Sequence, residues 1–84
     1  MSKAAIVGPL TLATVPQILR DGGDAGERLD LAACTRIDSA GAAYLLERTR
    51  SARQRGLTLQ IVNANDQVKQ LVRFFELEAI LQLQ

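Results

Sequence analysis

Apolar and polar positions alternate with two periods along the chain. Ala4-Ala5-Ile6-Val7 is a short apolar run that Gly8-Pro9 ends, which predicts a buried strand followed by a turn. Thr14 stands where a helix cap belongs, and Pro16 is tolerated in a first turn because its missing N–H has no intrahelical acceptor there. Val15, Ile18 and Leu19 then share one helical face. Asp21-Gly22-Gly23-Asp24-Ala25-Gly26 predicts the end of that helix and a flexible loop. Leu29 and Leu31 alternate with polar neighbours, a second strand over residues 28–32, and Cys34 to Ile37 lead out of it. A long helix starts within Asp38-Ser39-Ala40-Gly41, runs to about Gln54, and is stopped by Gly56. Leu57, Leu59 and Ile61 alternate with Thr58, Gln60 and Val62, the cleanest strand of the chain. Asn63 to Asp66 form a loop with capping residues. Val68, Leu71, Val72 and Phe75 then mark a short amphipathic helix. Leu77, Ile80, Leu81 and Leu83 pack on the end without a clear period.

The order is β-α-β-α-β-α. Strands alternating with helices imply parallel crossovers with helices packed on a small sheet, so the class is α/β and residues 1–84 form one domain.

Composition removes several functions. The chain has no His, which excludes a His metal ligand, a Ser-His-Asp triad and an imidazole base. Its single Cys, Cys34, allows no intrachain disulfide and reads as a small buried or half-buried hydrophobe. A Ser nucleophile would need another base, and the only lysines, Lys3 and Lys69, sit at no recognisable spacing. Gly22-Gly23 lacks the Gly-Lys-Ser/Thr ending of a P-loop. We therefore expect no enzyme, metal or cofactor. Ten Lys plus Arg against nine Asp plus Glu leave +1, which gives no electrostatic reason to expect nucleic acid. The apolar runs are too short for a membrane span or a signal peptide, so we expect a soluble, cytoplasmic chain. Arg48, Arg50, Arg53 and Arg55 scatter around the helical wheel and read as solvated arginines.

The most informative local feature is Ile37-Asp38-Ser39-Ala40-Gly41, which leaves a strand and opens a helix. The first N–H groups of a helix lack intrahelical partners and carry the positive end of its dipole. Asp38 or Ser39 can accept from them as an ordinary cap, or a phosphate or a partner's carboxylate can. On the wheel, Ala42, Leu45, Leu46 and Thr49 form the core stripe, and Ala40, Ala43, Tyr44, Glu47 and Ser51 lie opposite. That predicts an exposed Tyr44 beside the loop. Small residues and one aromatic make a docking patch, or else Tyr44 is a surface residue with no role.

Together these elements resemble the STAS domain, the sulfate-transporter and anti-sigma-factor-antagonist family. The match rests on Gly8-x-Leu10 before the first helix, Asp38-Ser39-Ala40-Gly41 between strand and helix, and the strand over residues 57–62 followed by Asn65-Asp66-Gln67-Val68 and residues 71–77. It covers nearly the whole chain. The resemblance implies a STAS-like small mixed β-sheet with about three helices packed on it. Family members begin with one more strand than the sequence predicts here, which implies a sheet edge that a second copy of the chain could cover as a homodimer.

In the family's anti-sigma-factor antagonists a phosphorylated Ser precedes the Gly; here that position is Ala40, with Ser39 one residue earlier. The chain is more similar to the subgroup that serves Mla-type phospholipid ABC transporters. There the earlier position is Thr or Ser and the acceptor is a small residue. Thr11 also stands where antagonists often carry an acidic residue. The resemblance thus implies an accessory subunit that binds the transporter's cytoplasmic ATPase, peripheral to the inner membrane through that partner. Asp38, Ser39, Ala40, Gly41, Ala43 and Tyr44 would form its partner surface. Asp38 would hold the loop, Ser39 would make a polar contact, and Ala40, Ala43 and Tyr44 would supply the apolar patch. The alternative is an antagonist that binds a serine kinase, with Ser39 as its phosphorylation site. A small-ligand or lipid-binding module would need an apolar pocket, for which 84 residues leave little room.

Overall fold

Three helices pack on parallel strands in the computed structural model, which describes residues 3–20 and 28–83. The strands are β1 (Lys3–Ala5), β2 (Gly8–Leu10), β3 (Arg28–Asp30), β4 (Cys34–Ile37), β5 (Gln60–Val62) and β6 (Gln82–Leu83). The helices are α1 (Val15–Arg20), α2 (Ser39–Gln54) and α3 (Asp66–Phe74). The α/β class with three helices is the class observed. The loop expected over residues 21–26 lies outside the described residues.

The larger sheet has the order β1-β3-β5-β6, and β2 pairs with β4 in a second, two-stranded sheet. Every pairing described is parallel. Strand order advances in one direction, so right-handed crossovers place all three helices on the same face of the sheet. Burial agrees. Leu29 and Ile61 are closed off, while Arg28, Asp30, Gln60 and Val62 are not. On the open face Arg28 donates to Gln60 Oε1 at 3.5 Å, and Asn63 donates to Asp30 Oδ1 at 2.9 Å. Among the described residues no helix is long and apolar enough to cross a membrane.

Four local expectations change. Gly8-Pro9 does not end the first strand; it begins a second. Gly8 has φ +86°, the register shifts between Gly8 and Pro9, and Val7 is turned outward at 79% exposure. The Ile6 N–H donates to the Asp30 carbonyl at 3.0 Å and the Gly8 N–H to the Ala33 carbonyl at 2.9 Å, so β1 and β2 form one kinked ribbon beside β3 and β4. Pro9 fits because, among the described residues, β2 pairs on one side only. Residues 34–37 are a strand in their own right. The last residues turn after Leu77 and return as β6 beside β5. Leu19 and Phe75, expected on core faces, are 56% and 41% exposed.

The predicted ends of α2 and the predicted start of α3 are observed, whereas Thr14, expected to cap α1, accepts from the Thr11 N–H instead. Asp38 caps α2, accepting from the Gly41 N–H at 3.1 Å, and Asn65 caps α3, accepting from the Val68 N–H at 2.9 Å. At the other end of α2, Gly56 is left-handed at φ +75°; its N–H bonds the Arg53 carbonyl, and the Leu57 N–H bonds the Ala52 carbonyl.

Gly41 is the tightest point. A Cβ there would fall on the Leu10 carbonyl oxygen and 2.6 Å from Ile37 Cγ1. Gly41→Ala should therefore lower the urea midpoint by the equivalent of about 1–3 kcal/mol or more, despite alanine's helix preference of about 1 kcal/mol. A midpoint equal to the parent's would mean that β2 moves aside at no cost.

Candidate functional site

The Asp38–Gly41 segment is built where the end of β4 meets the start of α2, against the end of β2. The Asp38 N–H donates to the Leu10 carbonyl at 3.3 Å. Asp38 Oδ2 accepts from the Leu12 N–H at 3.0 Å, and Oδ1 accepts from the Gly41 N–H at 3.1 Å. One side chain thus caps α2 and ties down the loop between β2 and α1. That loop is also held by Thr14, whose hydroxyl donates to the Pro9 carbonyl at 2.8 Å and accepts from the Thr11 N–H at 2.9 Å.

These bonds hold the Asp38 carboxyl below the usual carboxylate range. The Leu12 N–H contributes most, then the Gly41 N–H; burial opposes them with less effect, and the Ala40 N–H and the Arg36 guanidinium add still smaller lowering contributions. The Ala40 and Gly41 donors at the helix start therefore already serve the chain's own carboxylate. The anion place at this N-terminus is filled from within, and Asp38 acts as the ordinary cap.

The six residues expected at the partner surface separate. Ser39 and Ala43 are exposed, Asp38 and Ala40 are half-buried, and Gly41 is buried. Tyr44 is not exposed as expected: it is 4% accessible and belongs to the core. The buried side of α2 comprises Gly41, Ala42, Tyr44, Leu45, Thr49 and Ala52, so it turns toward Tyr44 and leaves Leu46 half-buried at its margin. Burial pushes the Tyr44 hydroxyl above its ordinary pKa, with Arg48 working against the shift. Cys34 is buried as expected, and burial raises its thiol too.

Sequence reasoning missed what surrounds Ser39. A cleft of about 310 Å³ opens between α2 and the turn after α3, lined by Ser39, Ala42, Ala43, Leu46, Phe75 and Leu77. On the other side lies an open depression of about 530 Å³, lined by Thr11, Leu12, Ala13, Arg36, Ile37, Asp38 and Gln67. Leu12 is 72% exposed there. Its place in the run from Leu10 to Val15, a segment with no clear period, was the only signal available. Among the described residues no group of three or more Cys, Asp or Glu could hold a metal ion. The arrangement offers an outward hydroxyl between apolar surfaces, which suits contact with another macromolecule.

Two outcomes follow from this geometry. Tyr44→Ala should act as a core truncation, costing about 3–5 kcal/mol as large aromatic deletions do, whereas Tyr44→Phe should stay folded; circular dichroism with urea titration separates them. Asp38 contributes stability that is present above its unfolded pKa of about 4 and is lost as pH falls through its lower folded value. Asp38→Asn should therefore lower the urea midpoint at neutral pH and approach the parent's stability in acid. Parallel pH profiles would remove the carboxylate from this role.

A family model described as "Mlab, STAS domain" matches residues 3–83. No curated protein matches the chain.

Proposed function

The chain belongs to the STAS domain family, and from that premise we propose that it is a non-catalytic accessory subunit of an Mla-type phospholipid ABC transporter. In this reading it docks on the transporter's cytoplasmic ATPase, stabilises the ATPase dimer and tunes its activity. The subunit is cytoplasmic and reaches the inner membrane only through that partner. The complex it serves maintains the lipid asymmetry of the outer membrane.

The observation that carries the reading is the make-up of the helix start. The family's acceptor position is Ala40, without a hydroxyl, while Ser39 and Ala43 are exposed beside an apolar cleft. The docking surface is Ser39, Ala43 and the accessible parts of Asp38 and Ala40. Asp38 positions the loop from within. Gly41 lets α2 approach β2, and Tyr44 supports the surface from below.

Such a surface works by complementarity and needs no reacting group. Apolar area at its centre gives affinity, and a hydroxyl at the rim gives register. A charge or a bulky side chain at Ala43 should therefore break docking while leaving the fold intact.

The exposed Ser39 hydroxyl supports a second reading, a phospho-regulated antagonist of a serine kinase. A phosphate on Ser39 would place about −1.5 to −2 charges on the docking surface and switch the contact off.

Affinity capture of the tagged chain from its own cell extract, with mass spectrometry, tests both. The transporter reading expects an ABC ATPase with its permease, and about tenfold or greater loss of both with Ala43→Arg. A serine kinase without an ATPase would replace it with the second reading. Phosphate gain by intact mass, abolished in Ser39→Ala, would then be the expected signature.

A further inference from the structure

We infer that the depression on the Leu12 side of Asp38 receives a carboxylate side chain, Glu or Asp, of the protein partner. Arg36 and the Thr11 hydroxyl hold the carboxylate, and Leu12 packs on the stem that carries it. The inference rests on the docking reading above and adds the chemistry of a second contact, across Asp38 from Ser39.

Thr11 is 8% exposed and lines the depression. Its backbone is occupied. The N–H donates to the Thr14 hydroxyl at 2.9 Å, and the carbonyl accepts from the N–H groups of Thr14 and Val15 at 2.9 and 2.8 Å. Its own hydroxyl bonds nothing among the described residues. A hydroxyl this buried and without a partner costs stability that a methyl in its place would not. A group bound in the depression supplies the partner.

The remaining polar side chains of the lining select what binds. Net charge does not: the lining carries Arg36 and Asp38, and Asp66 and Lys69 on either side of Gln67 balance each other. Unused hydrogen-bonding groups do. The acceptors are already in service, Asp38 Oδ1 and Oδ2 to the Gly41 and Leu12 N–H groups and Gln67 Oε1 to the Ile37 N–H at 3.3 Å. The groups left over are donors. The side chains of Arg36 and Gln67 are exposed, and the guanidinium and the Gln67 amide N–H groups bond nothing among the described residues. Arg36 reaches Asp38 only through space, as the last of the influences on that carboxyl. A cation would have to share an oxygen that already accepts. A carboxylate matches the guanidinium fork and accepts from the Thr11 hydroxyl as well.

Shape decides how the carboxylate arrives. A free small molecule is held by a pocket that encloses most of its surface, and this depression of about 530 Å³ is open. It suits a side chain delivered by a larger body. Leu12 and Ala13 flank it with exposed apolar surface. Their loop is fixed in advance: the Leu12 N–H is on Asp38, and the Thr14 hydroxyl is on the Pro9 carbonyl at 2.8 Å. Little order is therefore left to impose on binding. Asp38 lines the depression and Ser39, the next residue, lines the cleft on the other side, so one docked surface reaches both.

The test uses the isotope-labelled full chain and two small probes, the N-acetyl methylamides of glutamate and of glutamine, which set a carboxylate against a carboxamide. The glutamate probe should shift the amides of Thr11, Leu12, Arg36 and Gln67, and the glutamine probe should leave them in place. Arg36→Gln should abolish the glutamate shifts. Arg36→Lys should restore them in part, since it returns the charge without the fork. Thr11→Val should have a urea midpoint at or above the parent's and still bind the glutamate probe more weakly, a pair of results that a purely structural Thr11 would not give. Thr11→Val and Arg36→Gln should each lower capture of the ATPase about tenfold. Equal shifts with both probes, shifts centred elsewhere, or none would overturn the inference. Undiminished capture by both variants would also overturn it and leave the docking reading standing. If the parent captures no ATPase, the docking reading falls, and the probe titration alone decides the site.

Discussion

The structure depends on one close approach, between the first turn of α2 and the end of β2. Gly41 has no side chain, and the Leu10 carbonyl oxygen occupies the space a Cβ would take. The two backbones are then near enough for Asp38 to join them. Its N–H bonds Leu10, and its carboxylate bonds the N–H groups of Leu12 and Gly41. A hydrogen bond to a charged acceptor is stronger than a neutral one, and here two such bonds share one acceptor group. The approach has a consequence for function. Because Asp38 turns inward to serve these donors, Ser39 is the residue left facing out. What would be an anion site on a bare helix end becomes a braced platform for its neighbour.

The signals that survived from sequence to structure are those with a local physical cause. Gly56 stops α2 because it adopts a positive φ, and Asn65 caps α3 because its side chain reaches the Val68 N–H. Both need only a few neighbouring residues. The alternations Leu29/Leu31 and Leu59/Ile61 are also local, and all four side chains are buried. The additional strands have no such signature. β6 is two residues long and exists because β5 lies beside it. β2 exists because Gly8 can kink and the Cys34–Ile37 segment is there to receive Pro9 and Leu10. Pairing across the chain decides these segments, and their own composition does not.

The site was legible in part, and Tyr44 shows why. α2 begins Ser39-Ala40-Gly41-Ala42-Ala43, and small residues leave the buried face poorly specified. Choosing Leu45 and Leu46 together as its centre is reasonable, but the buried arc is rotated by roughly 70° toward Tyr44. Contacts with α1, α3 and β4 set that rotation. None of them is encoded within α2 itself. The same rotation brings Leu46 to the margin, where with Phe75 and Leu77 it lines the cleft. The error in reading Tyr44 and the omission of the cleft thus have one origin.

Charge at the two ends of α2 follows the helix dipole. A helix favours negative charge at its start and positive charge at its end. That accounts for Asp38 at the first cap and for Arg53 and Arg55 at the last turn. It does not account for Glu47 in the middle of the helix, or for Glu76 and Glu78, which are not on α2 at all. Glu76 moreover takes a left-handed conformation that its side chain makes more costly than glycine would. Neither the dipole of α2 nor the geometry of the turn favours a carboxylate at that position.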